Sequence, residues 1–131
     1  MQSKPQVPRI TGARGESHIM VGEDEVALLF TNRALADVER ILGRSIVRIL
    51  ADSQTKDISI SDLARMLQVA VSAARREAGD TRPFNANDSW EAMDQAGFQN
   101  VLVAVFLGIT AVLDFEPGKE VGSGTADNPL A

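Results

Sequence analysis

The chain has 131 residues, a net charge of −5, no Cys, one His, no Tyr and one Trp. That length suits one domain with loose ends and a core that needs no staples. The missing Cys excludes disulfides, thiol catalysis and Cys-based metal sites; the single His excludes His-rich metal sites. The acidic balance and thin aromatic supply argue against broad nucleic-acid binding.

Residues 1–14 carry Lys4, Arg9 and Arg14 with Pro5, Pro8 and Gly12 and no acid. They read as a flexible basic arm, a solvated terminus before a docking device. No apolar stretch follows these charges, so the segment does not read as a secretory signal. No other stretch reads as a membrane span, and a soluble protein made in a cytoplasm is expected.

Glu16–Val21 and Val26–Thr31 predict a hairpin about Gly22-Glu23-Asp24-Glu25. In the second strand Val26, Leu28 and Phe30 share one face by the period of two. His18 falls on the face opposite Ile19 and reads as a half-exposed strand residue. A metal there would have only carboxylates as further ligands. Glu23, Asp24 and Glu25 lack calcium-loop spacing and read as a solvated turn.

Thr31 or Asn32 suits a helix cap, and the helix runs to about Leu42 with Gly43 as its left-handed stop. Leu35, Val38 and Leu42 form its inner stripe, and Arg33, Asp37, Arg40 and Arg44 its wet face. Ile46–Leu50 adds one or two helical turns after a bend, and Asp52–Asp57 reads as a polar loop. Ser61 then caps a helix over Asp62–Ala78. Leu63, Met66, Leu67, Ala70 and Ala74 face in, whereas Arg65, Gln68, Ser72, Arg75 and Arg76 face out. Arg75, Arg76 and Arg82 could hold a phosphate, but a helix end matched to its dipole accounts for them first. Asp88 with Glu91 fits a capping box for a short helix over Ser89–Ala96 that carries Trp90 and Met93.

Gly97–Leu113 holds the largest concentration of apolar residues. Phe98, Val101, Leu102, Val105, Ile109 and Val112 follow helical spacing, and the other side carries Val103, Leu107 and Ala111. A helix apolar all round needs cover, from its own domain or from another chain. It is too short to span a bilayer, which takes roughly 20 residues. The tail over 115–131, with Pro117, Gly118, Gly122, Gly124 and Pro129, reads as flexible. The expected architecture is α+β and mostly α: an N-terminal β-hairpin, then four or five helices packed around an apolar C-terminal helix, all within residues 15–114.

No residue pattern announces chemistry. The His has no nearby Ser elbow, there is no phosphate-binding Gly-rich loop, and no helix-turn-helix pairing follows residues 61–79. No catalytic residue, cofactor or metal ligand is assigned.

The order of segments does carry a resemblance. A strand pair ending Leu-Leu-Phe-Thr31 runs into Leu35-Ala-Asp-Val-Glu39 and Leu42-Gly-Arg-Ser-Ile46. An Ile-Ser-Asp-Leu-Ala-Arg-Met-Leu helix and the apolar run after Gly97 follow. Over about residues 16–113 this resembles the tail-assembly chaperones of long-tailed phages and gene transfer agents, some of which have been labelled tail tube proteins. The resemblance implies a non-catalytic protein of the bacterial host cytoplasm that binds the tape-measure protein and recruits tail tube protein around it. A homo-oligomer is compatible; membrane and nucleic acid are not expected partners. Trp90, Phe98, Leu102, Phe106 and Leu107 are the candidate contacts where exposed, and core where buried. The competing readings are a structural tail subunit, tube or connector, retained in the virion, and a small DNA-binding regulator.

Overall fold

The structure is a computed structural model that describes residues 15–55 and 57–114. The basic arm and the C-terminal tail expected from the sequence lie outside these residues. Two strands, β1 (Glu16–Val21) and β2 (Asp24–Leu29), precede five helices: α1 (Asn32–Leu42), α2 (Ile46–Gln54), α3 (Ile60–Ala78), α4 (Ala86–Ala96) and α5 (Phe98–Leu113). The α+β, mostly helical architecture is as expected.

The strands pair antiparallel, with Val21 opposite Asp24, so only Gly22 and Glu23 form the loop. The tight hairpin is two residues shorter than the sequence suggested. Gly22, at φ 66°, supplies the left-handed first position that two-residue turns demand. Both faces of β2 are covered from Ala27 onward, so its one-sided alternation does not hold in the fold. A strand buried on both sides is apolar in sequence without period, as Ala27-Leu28-Leu29-Phe30 is.

Side-chain caps fix the helix starts. The Thr31 side chain accepts from the Ala34 amide, that of Ser45 from Arg48, and that of Ser59 from Asp62. The third cap corrects the sequence reading: Ser59 rather than Ser61 starts α3, so Ile60 and Ser61 are helical. Asn85 and Asp88 form a reciprocal capping box, one turn before the Asp88–Glu91 pair inferred from sequence. The supposed polar loop at Asp52 is also corrected, because α2 continues through Gln54. Gly43 and Gly79 close α1 and α3 in left-handed geometry, as expected.

Arg44 explains the error at Asp52. It does not lie on the wet face of α1. Its guanidinium reaches Asp52 at 2.8 Å and Asp62 at 2.5 Å, tying the end of α2 to the first turn of α3. The Glu39 carboxylate accepts from the Ile46 amide at 2.8 Å, holding the α1–α2 corner.

The core sits between the hairpin and the helices. α3 packs against β2, α4, α1 and α5, and α5 packs against β1, α3, α4, α2 and β2. The five inward residues assigned to α3 are all buried, joined by Ala64, Val71 and Ala73. One buried polar group crosses helices: the Ser89 hydroxyl donates to the Ala64 carbonyl at 2.6 Å.

The two ends of the described chain meet. The Phe30 amide donates to the Gly15 carbonyl at 2.7 Å. A Cβ on Gly15 would fall 2.5 Å from Val112 Cγ2, so only glycine admits so close an approach to α5.

Candidate functional site

Among the described residues, an extended apolar surface built on a single helix is the outward face of α5. Gly97, at φ 95°, turns the chain by 112° between α4 and α5. That bend lays α5 across the hairpin, where the Ser17 hydroxyl donates to the Ala104 carbonyl at 2.8 Å. Val101, Leu102, Ala104, Val105, Gly108 and Ile109 face the core and are buried.

Among the described residues nothing closes over the other side. Val103, Leu107 and Leu113 are 49%, 56% and 42% exposed, and Phe106 and Thr110 are half-buried. Of the two sources of cover that the sequence left open, the described part of its own domain supplies one side only. Residues 99, 103, 106, 110 and 113 recur at alternating steps of four and three, the spacing of a seam that receives another helix. The hydroxyl of Thr110 donates back to the Phe106 and Leu107 carbonyls at 3.0 and 3.1 Å, so its polar atom is satisfied within the helix. No charged residue occurs between Phe98 and Leu113.

The candidate contacts divide accordingly. Leu107 is exposed and Phe106 half-buried, both on the outward face. Phe98 is half-buried and packs against the core. Leu102 is buried and belongs to the core. Trp90 on α4 is 41% exposed. Val103 and Leu113 were not among the candidates, although their spacing from Phe106 carried the signal.

The other polar constellations have structural occupations. Arg75 donates to the carbonyls of Arg82 and Pro83 and lies 5.1 Å over the Phe84 ring. Arg82 is paired with Asp80 at 2.6 Å, and its hydrogen bonds hold the Asp80 carboxyl well below the usual carboxylate range. With two of the three arginines engaged in this way, no convergent phosphate site forms. His18 is exposed. Desolvation raises the neighbouring Glu16 carboxyl, partly offset by His18. Among the described residues, no group of three or more acids and His is placed to hold a metal ion. No single helix among them is long and apolar enough to cross a membrane.

No family model, no curated protein and no solved structure matches this chain.

Proposed function

We propose that the chain is a non-catalytic tail-assembly chaperone of a long-tailed phage, prophage or gene transfer agent. It acts in the cytoplasm of the bacterial host, binds helices of the tape-measure protein and helps tube subunits gather around them. The observation that carries the reading is the outward face of α5, with Val103, Leu107 and Leu113 exposed on a helix free of charge. A tape-measure helix is long and apolar on one side, and a charge-free stripe with steps of three and four suits its burial. The order of segments along the chain supports the same assignment.

The test is co-expression with the tape-measure protein encoded in the same gene neighbourhood, followed by calorimetry on its segments. Binding is expected, and Leu107→Asp is expected to abolish it without changing the circular dichroism spectrum. Absence of affinity for every tape-measure segment overturns the reading. Mass spectrometry of purified particles separates a chaperone, expected to be absent, from a retained tube or connector subunit.

A further inference from the structure

We infer that the outward face of α5 is also where two copies of this chain meet, as a weak antiparallel helix pair. The inference shares that surface with the proposed function but does not depend on it. Charge and register support a second copy as the occupant, and size sets the strength of the pair.

The first is charge. Each copy carries a net charge of −5, so most ways of bringing two copies together oppose like charges. Among the described helices α5 alone has no charged side chain, so this face meets its own image without that penalty.

The second is register. With Val103 and Thr110 at one seam position and Phe106 and Leu113 at the other, an antiparallel two-fold pairing alternates them. Val103 then lies against the second copy's Leu113, and Phe106 against the second copy's Thr110. The bulky ring meets the smallest seam residue, whose hydroxyl is already bonded within its own helix. A parallel pairing would instead stack Phe106 on Phe106 and Thr110 on Thr110.

The third is size. Sixteen residues make a helix about 24 Å long, with room for only about four seam layers. A single-helix contact of that length is small beside the roughly 800 Å² per partner of durable complexes, so we expect the pair to exchange freely. A partner helix that uses the same seam competes with it, and self-pairing keeps the apolar stripe covered until that partner arrives.

The test uses the full chain alone. Sedimentation from micromolar to millimolar concentration is expected to show a monomer–dimer equilibrium that strengthens with added salt, and Val103→Asp is expected to remain folded and monomeric. Because the chain has no Cys, Val103→Cys and Leu113→Cys each place one thiol. On mild oxidation the mixed pair is expected to crosslink several-fold faster than either variant alone. A chain that stays monomeric throughout, or a Val103→Cys chain that crosslinks with itself as fast as the mixed pair, overturns the inference. Neither result bears on tape-measure binding, which is read separately by calorimetry.

Discussion

The Phe30 ring lies directly over Gly108, so close that a Cβ there would fall 2.8 Å from the ring Cδ2. A glycine inside an apolar helix would ordinarily be a weakness, about 1 kcal/mol worse than alanine. Here it is the seat of a wholly buried aromatic ring at the end of the hairpin. Gly108→Ala gains helix propensity and loses more to overpacking, which costs about 1–3 kcal/mol. The expected net effect is a lower denaturation midpoint. Gly43→Ala is the control: nothing lies within 4 Å of its Cβ, and only its φ of 71° opposes the change, a cost of about 1 kcal/mol.

Arg44 should matter where Arg40 does not. Arg44 bridges Asp52 and Asp62, whose side chains are only 14% and 23% exposed. Arg44→Met leaves the Asp62 carboxylate without its cation and Asp52 with only the exposed Arg48, at 3.3 Å. We expect a loss of about 1–2 kcal/mol, discounted for partial solvent access, with faster hydrogen exchange in α2. Arg40 pairs with Asp37 on the open surface, and Arg40→Ala should change stability by less than about 0.5 kcal/mol.

Ser89→Ala isolates the one buried polar link between α3 and α4. The hydroxyl leaves, but the Ala64 carbonyl keeps its own helical hydrogen bond, so no buried acceptor is orphaned. The expected cost is about 1 kcal/mol by chemical denaturation. A much larger loss would mean that the bond, and not the packing around it, holds α4 in place.

Glu16 contributes a pH dependence opposite in sign to that of Asp80, whose carboxyl is held low by Arg82. Burial raises the Glu16 carboxyl above the ordinary value, so the fold favours the protonated form. The stability this group contributes is present below its unfolded pKa and is lost as pH rises through the folded one. Glu16→Gln should therefore stabilise the protein at pH 7 and make no difference below pH about 4. Equal effects at both pH values in denaturant titrations would contradict this.

Much of the fold was legible because local rules agreed with one another. Thr31, Gly43, Gly79 and Gly97 punctuate the chain where they were expected to, and the inward stripe of α3 follows from Leu63, Met66, Leu67, Ala70 and Ala74. The errors lie where two residues compete for one role. Ser59 and Ser61 are both competent caps, as are Asn85 and Asp88, and periodicity alone does not choose between caps two or three residues apart. Asp52 reads as loop because its partner, Arg44, is eight residues earlier and on another element. The candidate site shows the deeper limit: spacing marks Val103, Leu107 and Leu113 as apolar, but whether the domain covers them depends on which side the hairpin takes.

The contact of Gly15 with Val112 joins the first strand's threshold to the last helix. During synthesis, the side of the Phe30 ring that Gly108 covers therefore waits until nearly all of the described polypeptide has been made. Any chain interrupted before Gly108 would present that side of the ring, and a β1 strand without its full α5 cover, to the cell, and such fragments should be cleared rather than accumulate as half-built pieces.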